Sequence, residues 1–385
     1  IAGWLYLPWV IKPLWSMVVE GTSTRRRWTL ATELLIAVAL VVLAAAVGTN
    51  SLLTATVTAL AVIAFLSATH DVAADGFYLA ALDDHQQAFF VGIRSTAYRI
   101  ANVVGRGLLV MLAGVIETAS GDVPTAWRLV YLMLGICFLG LAAYHALVLP
   151  RPAADRIATG PVVSFAAIGQ PVLSFFRKPG IGRMLAFLLL YRFAEAQLVS
   201  LVSPFLLDER SRGGLGLTTA EVGFVYGTLG IGMLSVGGIL GGVLVARDGL
   251  GRWLWPMAVA INLPNLAYVW LAVAQPENLG AIAVAVAIEQ FGYGFGFTAY
   301  MVACMVIARG SYQTVHYALC TGFMAAGMML PSMASGWLQE LLGYPVFFSW
   351  VMLAAIPALA ATACLPLEQA EGRRQAEASP AGGDS

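Results

Sequence analysis

The sequence predicts an all-α polytopic membrane protein. Three observations carry that prediction. Of 385 residues, 59% are hydrophobic and 11% are charged, against roughly 25% charged in a soluble globular domain. Eleven apolar runs follow one another along the chain, each near the length of about 20 residues that an α-helix needs to cross a bilayer. The basic residues of the connecting loops fall almost entirely on one side of those runs. A water-soluble fold of this size could not cover its surface with so few charges. That excludes a cytosolic enzyme, a nucleic-acid-binding protein and a disordered chain. Lys+Arg (21) equals Asp+Glu (21), so no bulk charge selects a partner. The expected surroundings are membrane lipids, around a monomer. Cys137, Cys304, Cys320 and Cys364 lie in apolar runs without metal-ligand spacing and read as small core residues. No cofactor or metal site is expected.

The runs lie near 1–18, 28–47, 52–80, 88–115, 126–149, 182–207, 218–245, 254–274, 280–308, 313–339 and 344–365. Ile1-Ala2-Gly3-Trp4-Leu5 already reads as the middle of a membrane helix, with no charged leader before it. The expectation is a helix missing upstream. The proline-bearing stretch 150–181, with Arg151, Arg156, Arg177 and Lys178, divides the chain. It separates a five-helix bundle (1–149) from a six-helix bundle (182–365). The tail 366–385 is polar, rich in small residues and expected to be disordered.

Loop charge sets the orientation. With the 19–27 loop in the cytoplasm, alternation places Arg25, Arg26, Arg27, Arg151, Arg156, Arg177, Lys178, Arg183, Arg247, Arg252, Arg309, Arg373 and Arg374 inside. The outside loops then hold Arg210 and Arg212 alone. The bias puts the long loop and the C-terminus in the cytoplasm, as in a bacterial inner-membrane protein.

An internal repeat sharpens the architecture. Glu20-Gly-Thr-Ser-Thr-Arg-Arg-Arg-Trp28 follows the first run, and Gly242-Val-Leu-Val-Ala-Arg-Asp-Gly-Leu-Gly-Arg-Trp253 follows the seventh. Both are basic turns that lead through Trp into an apolar run. Six helices separate them, so the pattern is six plus six with the first helix absent. Two six-helix halves joined by a central loop are the plan of the major facilitator transporters, with substrate held between the halves.

The two turns resemble degenerate copies of the major facilitator signature Gly-x-x-x-Asp-Arg-x-Gly-Arg-Arg. Glu20 stands at the acidic position of the first copy, and Arg25, Arg26 and Arg27 supply its basic end. The second copy keeps Gly242, Arg247, Gly249 and Arg252 but has Ala246 at the acidic position. Within that superfamily the chain resembles the AmpG-like muropeptide permeases through nearly its whole length. The carrying stretches are Lys12-Pro-Leu-Trp-Ser16, Ser67-Ala-Thr-His-Asp-Val-Ala-Ala-Asp75, Tyr98-Arg99, Leu190-Tyr-Arg-Phe-Ala-Glu195, Ala220-Glu-Val-Gly223 with Thr228-Leu-Gly230, and Glu289-Gln-Phe-Gly-Tyr-Gly-Phe-Gly296. Departures fall at His70, Tyr78, Ala81, Gly227 and the Arg192–Glu195 stretch. The resemblance implies a major facilitator fold and import of an anionic glycan-peptide with protons. The eukaryotic acetyl-CoA transporters, more distant relatives, give a second substrate class: another organic anion such as an acyl-CoA or a sugar derivative.

Polar residues within the runs are the site candidates, because burying a charge at bilayer depth costs about 2.5–3.5 kcal/mol on insertion scales. Lys12 lies in the inner third of the first run, placed either to meet the solute or only to pair with an acid near the gate. Asp71 and Asp75 are one turn apart on one helix face, and two close carboxylates suit a protonatable coupling site. The competing reading is an ion pair with arginines of the next helix. His70 sits about 100° from Asp71 around the helix, either a relay or a packing residue. Arg99, Asn102 and Arg106 form a single polar stripe, with Gly105 and Gly107 permitting bending or close approach. A guanidinium stays charged and grips carboxylate or phosphate through paired hydrogen bonds, so the stripe suits an anionic substrate; the competing reading is a structural latch. Arg192 and Glu195 sit mid-helix and could neutralise each other or serve the substrate. Glu289 is the acid of its helix, either functional or a helix-packing hydrogen bond; Gln290 stands beside it, and Gly292, Gly294 and Gly296 imply a bendable helix.

The candidates therefore group as Lys12, Arg99, Arg106, Arg192 and Gln290 for the solute, and Asp71, Asp75, Glu195 and Glu289 for protons. Glu20, Arg25, Arg26, Arg27, Arg247 and Arg252 form the gating loops, or serve only as topology signals. Arg99 and Arg192 are expected to face each other if the polar stripes point inward. Glu33, His145 and His316 read as structural, and Asn262 and Asn265 as interhelical hydrogen bonds. An embedded transferase finds no support: no His-x-x-x-x-Asp acyltransferase signature, Walker loop or metal-binding cluster is present. The two-half repeat also favours alternating access over a passive channel.

Overall fold

The computed structural model describes residues 7–47, 52–155 and 165–365, and every regular element among them is helical. The tail 366–385, with Arg373 and Arg374, lies outside the described residues, as do residues 1–6 and Arg156. The helices are α1 Leu7–Ile11, α2 Pro13–Thr22, α3 Arg25–Ala46, α4 Leu52–Ala81, α5 Asp84–Val103, α6 Leu109–Ser120, α7 Val123–Val148 and α8 Phe165–Phe176. They continue as α9 Ile181–Leu190, α10 Phe193–Leu207, α11 Thr219–Val222, α12 Ile231–Asp248, α13 Leu250–Asn262, α14 Leu266–Ala274, α15 Leu279–Ala308, α16 Gln313–Leu353 and α17 Ala355–Cys364. By length and composition, eight of these stretches could cross a membrane: Arg25–Ala46, Thr56–Ala81, Val123–Val148, Ile181–Leu207, Gly223–Asp248, Leu250–Ala274, Leu279–Ala308 and Gln313–Cys364.

The interruptions have local causes. Pro13 has no backbone N–H to continue α1, and Lys12 stands at that break. Wider π turns occupy Val104–Leu108 and Gly223–Gly230, a geometry frequent at functional sites. A Cβ at Gly105 would meet nothing within 4 Å, so there the glycine accompanies a distortion and not a close approach. The side chains of Asn102 and Arg106 lie outside the described residues. Gly343 breaks the long final run at φ 71°, in the left-handed region that glycine enters without steric cost.

Helix starts follow capping chemistry. Thr24 accepts from the Arg27 amide at the head of α3, and Asp122 accepts from the Thr125 amide at the head of α7. The Thr125 hydroxyl and amide hold the exposed Asp122 carboxyl below the usual carboxylate range.

The helices form two compact units. Unit 1 comprises 1–82, 101–176 and 308–322. Its α3 packs along α4 and α7, and Val19, Val72 and Ala73 pack with Trp15 and Trp28. Unit 2 comprises 83–100, 177–307 and 323–385. Its core is strongly aromatic, with Phe205, Tyr268, Tyr344, Phe347 and Phe348 together.

The glycines of α15 behave differently from the sequence expectation. The helix runs unbroken from Leu279 to Ala308. A Cβ on Gly292, Gly294 or Gly296 would overlap the backbone of Ala260, Leu234 or Met257, respectively. Their role is close approach of α13 and α12, the job that small residues do when helices pack without a hydrophobic driving force. Gly92 of α5 meets Gly238 of α12 in the same way. Two further expectations are corrected. Asn262 donates to the Ala258 carbonyl of its own helix at 2.9 Å; both polar side-chain atoms of Asn265 are buried without a hydrogen bond among the described residues. Neither makes an interhelical bond there. Cys304 and Cys320 are buried, but Cys137 and Cys364 are exposed on the protein surface.

Candidate functional site

Unit 1 assembles a three-residue charge cluster around Lys12. The break before Pro13 leaves the Lys12 side chain 3% exposed and aimed at α4. Its Nζ lies 2.6 Å from Asp71 Oδ2 and 3.8 Å from Asp75 Oδ2. The one-turn spacing of the two acids brings both within reach of one ammonium. Asp75 is buried, whereas the Asp71 side chain is 35% exposed. Within this triad, carboxylates outnumber the cation two to one.

Unit 2 assembles a second cluster around Tyr293. The helical run is interrupted between α9 and α10, which puts Arg192 at the head of α10 and Glu195 in its first turn. Arg192 and Glu195 form a fork: Nε donates to Oε2 at 2.5 Å and Nη2 to Oε1 at 2.8 Å. Arg192 Nη2 also donates to the Tyr293 hydroxyl at 2.8 Å, and its guanidinium lies 4.7 Å from the Phe297 ring centre. Arg99, from the α5 segment of the same unit, stands over the Tyr293 ring at 4.3 Å. The two guanidinium groups thus meet on one tyrosine, edge and face. Arg99 Nε is buried and makes no hydrogen bond among the described residues. Glu289 is buried on α15, where its Oε2 accepts from Gln290 Nε2 at 2.9 Å and from the Tyr268 hydroxyl at 3.3 Å.

The first signature turn is a connected network. Arg25 Nη2 pairs with Glu20 at 2.6 Å, and its Nε donates to Thr314 Oγ1 at 3.0 Å. Asp155 accepts from the Arg25 and Arg26 amides at 2.8 and 3.0 Å, an acid set against the positive end of α3. Arg26 donates onward to the Ala146 and Leu149 carbonyls at the end of α7, and Arg27 is exposed. In the second turn, Arg247 pairs with the adjacent Asp248 at 2.8 Å, and Trp253 Nε1 donates to the same carboxylate at 3.1 Å. Asp248 therefore supplies the acid that is lacking at Ala246. Arg252 is exposed.

Tyr293, Phe297, Asp155, Thr314 and Asp248 are the groups that sequence reasoning missed. Tyr293 had a signal: it lies one turn after Glu289. Asp155 and Thr314 had none, because their partners are more than a hundred residues away.

The Major Facilitator Superfamily model matches residues 1–319. The chain belongs to this superfamily. It is 27% identical over 356 residues to the anhydromuropeptide permease of Escherichia coli K12, covering 91% of this chain and 69% of the permease. A Rickettsia conorii protein named as an AmpG 4 transporter is 24% identical over 366 residues, covering 92% and 84%. Among solved structures, the Escherichia coli fucose:proton symporter FucP superposes with a TM-score of 0.69 at 15% identity, covering 94% of this chain and 89% of that one. The human organic anion transporter MFSD10 gives 0.63 at 14% identity, covering 94% and 82%. These likenesses establish the fold, and the relatives are named as transporters and permeases, not as enzymes. This major facilitator protein is thus a multi-pass membrane transporter resembling the AmpG-like permeases.

Proposed function

We propose that this transporter imports an anionic, muropeptide-like glycan-peptide across a bacterial inner membrane, coupled to protons, by alternating access through eleven spans in this sequence. Its long loop and C-terminus face the cytoplasm, in line with the distribution of loop arginines. The observation that carries the substrate reading is the pair of guanidinium groups on Tyr293, one of which keeps a buried donor in reserve. A buried donor without a partner is costly, and a carboxylate satisfies it. The permease names of the relatives point to the same chemistry. The proton reading rests on the Lys12–Asp71–Asp75 cluster, where one ammonium faces two carboxylates.

The test is uptake into proteoliposomes under an inward proton gradient. Labelled anhydromuropeptide should accumulate, an uncoupler should abolish accumulation, and unlabelled anhydromuropeptide should compete better than simple sugars or acyl-CoA. Gradient-insensitive flux would remove the coupling. Stronger competition by acyl-CoA or a sugar derivative would replace the substrate class while keeping the carrier.

A further inference from the structure

One group of titratable side chains, built around a buried carboxylate, is used by neither cluster. Glu33 lies on α3, two turns from its head, with its side chain 3% exposed. Its Oε1 is shared by two imidazoles: His145 Nδ1 at 2.7 Å and His70 Nε2 at 3.3 Å. Its Oε2 is buried and has no hydrogen-bond partner among the described residues. All three residues belong to unit 1.

We propose that Glu33, His70 and His145 form a proton-binding site, separate from the Lys12–Asp71–Asp75 cluster and reached through the two partly exposed imidazole rings. Three features carry this. A buried carboxylate with one orphan oxygen is poorly stabilised by neutral donors alone; a proton on either imidazole converts the contact into an ion pair. His145 lies in the last turn of α7, where the carbonyl end of a helix favours a cation. The His145 and His70 rings are 30% and 29% exposed, against 3% for Glu33, so the carboxylate is reached through its two imidazoles.

The surrounding charges are otherwise engaged. From α4 come His70 and, next in the chain, Asp71, which Lys12 pairs. From α7 come His145 with Tyr144 beside it, while Arg128 bonds the Val47 carbonyl at the far end. From the first turn of α3, Arg25 pairs Glu20 of α2 and Arg26 bonds the end of α7. His70 precedes Asp71 on α4, so the site and the coupling acids share one helix. That link to transport rests on the proton-coupled reading; the site itself rests on the geometry of unit 1.

The experiment uses the full chain in lipid nanodiscs with ¹⁵N-labelled histidine. The four histidines give four imidazoles to follow by NMR between about pH 5 and 9, a range spanning the ordinary imidazole value. His145 and His70 should sense the carboxylate directly, so Glu33→Gln should move both of their imidazole ¹⁵N signals across that range. His85 and His316 should stay fixed, which reports an intact fold. An unmoved His145 and His70 would overturn the site. Should Glu33→Gln fail to fold, His145→Gln keeps a donor for Glu33 and should move the His70 imidazole ¹⁵N signals through their shared carboxylate; an unmoved His70 there would overturn it equally. If these shifts appear while wild-type uptake ignores a proton gradient, the coupled-transport reading fails and the site stands.

Discussion

Replacing Arg99 by Gln separates a substrate contact from a latch. The Arg99 guanidinium is held over the Tyr293 ring at 4.3 Å, a contact worth about 0.5–2 kcal/mol. Among the described residues it makes no hydrogen bond to a carboxylate, and its Nε is orphaned. Its removal costs the empty protein the Tyr293 contact, a loss common to every substrate. A substrate carboxylate gripping it through charge-assisted hydrogen bonds would gain about 1.5–3 kcal/mol, or roughly 10- to 150-fold in affinity. Arg99→Gln should thus weaken uptake of a carboxylate-bearing anhydromuropeptide by that factor. Its amidated, neutral analogue should change far less. The assay is concentration-dependent initial uptake of both compounds into proteoliposomes, normalised to the amount of folded protein. Equal losses for the two analogues would refute the argument and make Arg99 a structural latch.

Asp71→Asn with Asp75→Asn should abolish accumulation against a gradient while equilibrium exchange survives; wild-type accumulation by the double variant would remove the coupling role. Arg192→Met strands the buried Glu195 carboxylate and should cost about 3–5 kcal/mol. Adding Glu195→Met should recover most of the thermal stability in detergent, and a failure to recover would show that the pair does more than neutralise itself. Gly92→Ala drives a methyl into the Gly238 carbonyl and should cost about 1–3 kcal/mol, read as a lower melting temperature. The Asp122 carboxyl is held low by Thr125. Its cap therefore stabilises the head of α7 above the unfolded value of about 3.9 and is lost as pH falls through the lower native value. Hydrogen exchange at 123–126 should rise in acid in the wild type, and Asp122→Ala should already show fast exchange at neutral pH.

The sequence by itself determined the class and much of the helix plan. Apolar length, proline and glycine punctuation and loop charge are local properties, so the runs at 28–47, 126–149 and 280–308 closely match α3, α7 and α15. The Arg192–Glu195 pair was legible for the same reason, since three residues span one helical turn. Lys12 and Asp71 are 59 positions apart, and nothing in either helix encodes that they meet. Only the rotation and depth of packed helices decide it. The same holds for Tyr293, which gathers two arginines from distant segments, and for Glu33, which the sequence left as a structural residue near a helix end. The glycines of α15 make the point in reverse. Their spacing fits a bend or a close approach equally well, and only the backbones of α12 and α13 against them select the second. Helical period fixes which side chains share a face; what that face meets is a property of the tertiary packing.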